Sequence, residues 1–246
     1  MSVIITMAGA GSRFSKMGYS VPKYMIRARS RTLFDWSMQS LSAFRDHEFV
    51  FACLQGQDEI WIRDRALHNG IQKVKVVTRQ DISLGQAQTA QDVISHVDPH
   101  EPMWIYNIDT YIEEGIEPRH LEGYQGCLHV FESSSPAMSY VRMNGSGDVV
   151  EIAEKVVISQ WATAGIYGFA SAQLFSQLYR KTYADQFYVH GHKVSEHYVA
   201  PLYQTLLQTG ARINAPKLRL SAVNVLGTPE EVVQFDPAVR PPLGAL

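Results

Sequence analysis

The chain has 246 residues, enough for one large α/β unit or two small ones with a proper core. Apolar residues make up 46% and charged residues 19%, the balance of an ordinary globular protein, and the formal net charge is only −2. That near-neutrality, without a block of like charge, excludes a protein that tracks a nucleic-acid backbone or rests on a membrane through a basic arm.

Residues 1–8 form a short apolar run that lacks the basic start and long apolar stretch of a signal peptide. No later apolar run is long enough to span a bilayer, so a soluble cytoplasmic protein is expected. Stretches 3–7, 49–54, 73–77 and 103–108 read as buried strands, rich in β-branched and aromatic residues. Between them lie helical patterns. Phe34, Met38, Leu41 and Phe44 follow helical spacing behind a Thr32/Asp35 capping box, 58–69 ends at Gly70, and 86–94 precedes the fourth strand. Strands alternating with helices predict a mostly parallel sheet with crossovers on both faces.

The second half reads differently. Stretches 126–132, 140–143, 149–155 and 163–169 are strand-like, with Gly145 and Gly147 marking a turn. Helices are expected at 172–179 and 196–208, the latter with Ser195 as N-cap and Gly210 as stop. Residues 213–225 form a last extended run. No linker divides the chain, so one domain over 1–235 is expected, with 236–246 as a surface tail. Cys53 and Cys127 both fall in strand-like segments, which favours buried thiols over a disulfide and cannot supply a zinc cluster.

Ala8-Gly9-Ala10-Gly11-Ser12-Arg13 directly follows the first strand, with Pro22-Lys23 shortly after. Glycines at the end of a first parallel strand let backbone N–H groups approach phosphates without interference from a Cβ. Ala8, Gly9, Gly11 and Ser12 are therefore candidate nucleotide-binding positions. Arg13 can grip a phosphate with its planar fork, and Lys23 can neutralise another oxygen as a point charge. Phe14 breaks a dinucleotide fingerprint and no Gly-Lys-Ser/Thr forms a Walker loop. A plain strand-to-helix turn with two surface cations is the bland alternative. Asn107-Ile108-Asp109 ends the fourth strand, where open α/β sheets bind ligands, and Asp109 there can hold Mg²⁺ against phosphates or merely begin a turn.

The Gly9-x-Gly11-x-Arg13 element with Pro22-Lys23 resembles the sugar-phosphate nucleotidyltransferase family, which includes glucose-1-phosphate thymidylyltransferases and related uridylyl- and cytidylyltransferases. The likeness runs from Ile4 to about Val233, with Thr6-Met7-Ala8-Gly9 where the family usually has Leu-Ala-Ala-Gly. It implies a Rossmann-like open mixed sheet of the nucleotidyltransferase or GT-A kind, flanked by helices. It also implies transfer of a nucleoside monophosphate, with a pyrimidine base, from a triphosphate to a sugar 1-phosphate or similar phosphomonoester. Pyrophosphate is released, Mg²⁺ is the cofactor, and the product would serve cell-surface polysaccharide synthesis. Partners are those two substrates; no nucleic acid or membrane is expected, and a homo-oligomer is left open.

By the same resemblance Gln80 and Gly85 read the base, Asp109 binds the metal, Lys155 meets the acceptor phosphate, Glu154 meets the sugar hydroxyls, and Gly165 leaves space beside the sugar. One position departs from the family: Val225 stands two residues before Gly227-Thr228, where an aspartate would give a second metal ligand. The polar segment 188–196, carrying His190, His192, Lys193 and Glu196, reads either as a connector or as an acceptor-binding loop, with His192 and Glu196 the candidate contacts. Two other readings stay open on sequence grounds. One is a glycosyltransferase, against which Asp109-Thr110-Tyr111 lacks the second acid of a DxD element. The other is a non-catalytic nucleotide-sugar-binding domain that has lost its metal.

Overall fold

A computed structural model describes residues 1–184 and 196–242, together with the backbone of 187–189 and 192–194. In chain order the strands are β1 (Ser2–Thr6), β2 (Arg27–Ala28), β3 (Arg31–Thr32), β4 (Glu48–Leu54), β5 (Lys73–Arg79), β6 (Met103–Asn107), β7 (Thr110–Ile112), β8 (Gly126–Glu132), β9 (Ser139–Met143), β10 (Val149–Glu154), β11 (Trp161–Phe169), β12 (Phe187–Val189), β13 (His192–Val194), β14 (Ile213–Asn214) and β15 (Val223–Val225). The helices are α1 (Ser12–Lys16), α2 (Leu33–Ser40), α3 (Glu59–His68), α4 (Gln86–Asp92), α5 (Ala172–Thr182), α6 (Ala200–Leu207) and α7 (Pro229–Phe235). Among the described residues, no helix is long and apolar enough to cross a membrane.

Nine strands make one open mixed sheet, as the resemblance implied. Its parallel half runs β5-β4-β1-β6, with β1 in register between β4 and β6. Strand β11 then joins β6 antiparallel and carries β8, β9 and β10 on its far side. Because side chains alternate along a strand, Val3 and Ile5 enter one core layer, with Phe34 and Met38 of α2. Ile4 enters the other layer, with Ala87 and Ala90 of α4 and Leu202 and Leu206 of α6. Burial on both faces is why these central strands read as continuous apolar runs. The expected capping box of α2 is present, Thr32 Oγ1 accepting from the Asp35 N–H and Asp35 from the Thr32 N–H. Both cysteines are free and buried.

The structure corrects several boundaries. Helix α6 begins at Ala200, not at Glu196, and its N-cap is Val199. Pro201 suits only a first helical turn, and His197 spends its backbone groups elsewhere, donating to Leu84 O and accepting from Ala87 N. Ser195, the expected cap, lies outside the described residues. The run 213–225 is broken: β14 pairs with β8, while β15 pairs antiparallel with β7. Helix α5 continues to Thr182, beyond the expected end at 179. Helix α7 follows where no helix was expected, and the segment after it touches the rest of the chain at two places. Asp236 accepts from the Arg29 N–H at 2.5 Å, and Val239 packs beside Phe235.

Candidate active site

The glycine loop leaves β1 at the centre of the sheet. Gly11 takes a left-handed conformation (φ 59°, ψ 23°) as it enters α1, a turn that favours glycine. Phe14 anchors α1 by burying its ring in a small cluster with Leu226, Val232 and Phe235, which leaves Arg13 exposed at the rim of the site. Asp109 lies in the tight turn between β6 and β7, and the backbone around it is held from several sides. Ser37 Oγ donates to the carbonyls of Ile108 at 2.8 Å and Thr110 at 3.1 Å, Tyr106 Oη donates to Thr110 O, and the Leu226 N–H donates to Asp109 O at 2.8 Å. Its carboxylate is thereby fixed toward solvent, where Lys23 Nζ donates to Oδ2 at 2.6 Å.

Two adjoining cavities open on this carboxylate. One, of about 520 Å³, is lined by Ala8, Gly9, Lys23 and the loop 82–86 that opens α4. The other, of about 540 Å³, is lined by Arg13, Glu154, Lys155, Gly165 and Tyr198. Gln86, Asn107, Asp109 and Glu196 line both. The sheet thus supplies one cavity from its parallel half and one from its antiparallel half, meeting at Asp109. Gly165 makes the junction possible, because a Cβ on its left-handed backbone (φ 78°) would sit 2.8 Å from Asn107 Nδ2.

In the second cavity Glu154 is 8% exposed and accepts a hydrogen bond from Ser139 Oγ. Burial pushes its carboxyl up from 4.5 to about 7, against the opposing pull of Ser139 and Lys155. Lys155 also has a left-handed backbone (φ 55°). Its ammonium donates to Tyr198 Oη, lies 4.3 Å from the centre of that ring, and stands 3.9 Å from the Glu196 carboxylate. Tyr198 Oη in turn donates to Glu196.

The structure therefore brings together Ala8, Gly9, Arg13, Lys23, Gly85, Asp109, Glu154, Lys155, Gly165 and Glu196 around two connected cavities. Gln80 is exposed one residue past β5 and lines neither. Gly85 has a reason of its own to lack a side chain: a Cβ there would meet the His197 carbonyl at 2.7 Å, so the residue seats the strap 196–198. His190, Gly191 and the His192 side chain lie outside the described residues.

Two residues of the site were not singled out from the sequence. Gln86 lines both cavities with its Nε2 buried and unpartnered, yet in sequence a glutamine at a helix start is merely a good helix former. Glu231 lines the second cavity, and a Cβ at Gly227 would lie 3.3 Å from Asp109 Oδ2 and 3.5 Å from Glu231 Oε2. The signal for α7 was available as Thr228-Pro229-x-Glu231, a capping box with proline in the first turn.

The chain is similar over 96% of its length to the nucleoside-diphosphate-sugar pyrophosphorylase of Vibrio cholerae RC9, with 30% identity, a TM-score of 0.86 and 99% of that chain covered. The chain belongs to the sugar-phosphate nucleotidyltransferase family. More distant nucleotidyltransferases share the fold. The inositol-1-phosphate CTP transferase of T. maritima is 18% identical (TM-score 0.70, 97% of each chain), and a UDP-glucose pyrophosphorylase complexed with UDP-glucose is 16% identical (TM-score 0.74, 96% of this chain and 97% of that one). No protein-family model and no curated protein matches the chain. In this nucleotidyltransferase, then, the two cavities flank the carboxylate at the central strand tip.

Proposed function

We propose that this nucleotidyltransferase joins a pyrimidine nucleoside triphosphate to a sugar 1-phosphate or similar phosphomonoester, with Mg²⁺, and releases pyrophosphate in the making of a cell-surface polysaccharide precursor. The observation that carries the reading is Asp109, paired with Lys23 and shared by two cavities of substrate size. The cavity on the parallel half takes the nucleotide. Its glycine loop presents backbone N–H groups to phosphates, and the exposed Ile82 and Leu84 offer apolar surface to a base. The second cavity takes the acceptor, with Lys155 toward its phosphate and Glu154 and Glu196 toward its hydroxyls.

The acceptor phosphate is already anionic, so no general base is needed; the task is to hold two mutually repelling anions in line. Arg13, Lys23 and Lys155 offset that repulsion, and the cationic groups nearest the triphosphate stabilise charge developing on the leaving pyrophosphate. Asp109 supplies the hard oxygen donor that Mg²⁺ prefers, and the bound cation would neutralise phosphate oxygens. Among the described residues no three His, Cys, Asp or Glu side chains gather as a metal cage, so phosphate and water would complete its shell. Pyrophosphate release from CTP, UTP, dTTP, ATP and GTP, each with a panel of sugar 1-phosphates, tests the reading. Turnover confined to pyrimidine triphosphates and dependent on a phosphorylated acceptor is expected; equal use of purines, or release without acceptor, counts against it.

A further inference from the structure

We propose that Glu231 is the second carboxylate of the divalent-cation site, a proposal that rests on Asp109 being the first. Val225 lines the cavity but offers no oxygen. Asn224 cannot replace it: β15 runs antiparallel to β7, Val223 and Val225 face the cavity, and Asn224, opposite Tyr111, takes the other face. The chain then turns back toward Asp109, where the Leu226 N–H donates to the Asp109 carbonyl. At the next residue, Gly227, a Cβ would lie 3.3 Å from Asp109 Oδ2 and 3.5 Å from Glu231 Oε2. Carboxylate oxygens from two different elements thus both come within 3.5 Å of the place a side chain would take, and Gly227 leaves that place open.

Glu231 cannot easily swing away. It is the third residue of α7, its Oε2 accepts from the Thr228 N–H at 2.8 Å, and Thr228 Oγ1 accepts from its N–H at 3.2 Å. Capping alone asks only for an amide or carboxylate at this position, and a glutamine would serve equally. Two carboxylates that border one half-enclosed cavity offer hard oxygens to a divalent cation. Lys23 answers for Asp109, while among the described residues no ion pair engages Glu231. A small hard cation sharing both oxygens and the substrate phosphates satisfies the pair.

The experiment titrates Mn²⁺ into the full chain, following free ion by electron paramagnetic resonance, with and without a non-hydrolysable α,β-methylene triphosphate. Glu231→Gln keeps the cap and removes only the charge. It should weaken Mn²⁺ binding by about tenfold or more at an unchanged melting temperature. Adding Val225→Asp to that variant should restore binding. Thr228→Ala removes the cap but not the carboxylate, so it should lower the melting temperature and spare Mn²⁺ affinity. If Asp109→Asn weakens Mn²⁺ binding and Glu231→Gln does not, Glu231 is only a helix cap and the proposal falls. If Asp109→Asn leaves Mn²⁺ binding intact, the cation site itself is misplaced.

Discussion

Lys23 and Asp109 stand 86 positions apart in the chain, and their 2.6 Å contact exists because β1 and β6 run side by side in parallel. Asp109→Ala should abolish pyrophosphate release while leaving the circular dichroism spectrum unchanged, since this half-exposed carboxylate supports no core contact. Lys23→Ala and Arg13→Ala should each slow turnover by about tenfold or more, the size of a lost charge-assisted contact; near-native kinetics for both would return the loop to a plain turn. Glu154 gives a prediction in pH. Folding raises its carboxyl from 4.5 to about 7, so the folded chain holds that proton more tightly than the unfolded one. The resulting stabilisation is full below the unfolded value and is lost as pH rises through the folded value. Glu154→Gln, which cannot ionise, should therefore gain melting temperature relative to the wild type between about pH 5 and 8, and a constant difference would contradict the buried acid. Arg13, Lys23 and Asp109 were legible in the sequence because they adjoin a glycine loop or a strand tip. Gln86 and Glu231 were not, because a helix-start glutamine and a capping glutamate have sufficient local reasons to be there.

At the scale of elements, strands of the parallel half were readable because both their faces are buried, which gives unbroken apolar runs with boundaries within two residues of those observed. The strap 196–198 was misread as helix because the apolar spacing of α6 begins only after it, and nothing local announces that His197 pairs its backbone with Leu84 and Ala87, far away in the sequence. That pairing packs the strap directly against the Gly85 backbone. Its backbone (φ 152°) and the His197 carbonyl at 2.7 Å leave no room for a methyl group. Gly85→Ala should cost about 1–3 kcal/mol of stability, as overpacking does, and dislodge Glu196 and Tyr198 from Lys155. Chemical denaturation reads the first effect and a raised acceptor KM the second. A variant with both values unchanged would show that the strap does not depend on this seat.

At the scale of the whole molecule, the sheet changes from parallel to antiparallel at β6–β11, and the two cavities fall on either side of that change. The sequence announced both halves but not their meeting. The closeness of Asn107 to Gly165 arises only when β11 lies against β6, a pairing between segments about sixty residues apart that no local pattern encodes. The geometry divides the kinetics accordingly. Lys23→Ala, on the parallel side, should raise the triphosphate KM and leave the acceptor KM nearly unchanged, whereas Lys155→Ala should do the reverse, because each removes binding from one cavity. Glu196 lines both cavities, so Glu196→Ala should disturb both constants, with the larger effect on the acceptor through its contacts with Lys155 and Tyr198. Initial rates measured over a grid of both substrates would separate these cases. If Lys23→Ala and Lys155→Ala raise the same KM, the cavities do not hold different substrates, and the assignment of one half of the sheet to each is wrong.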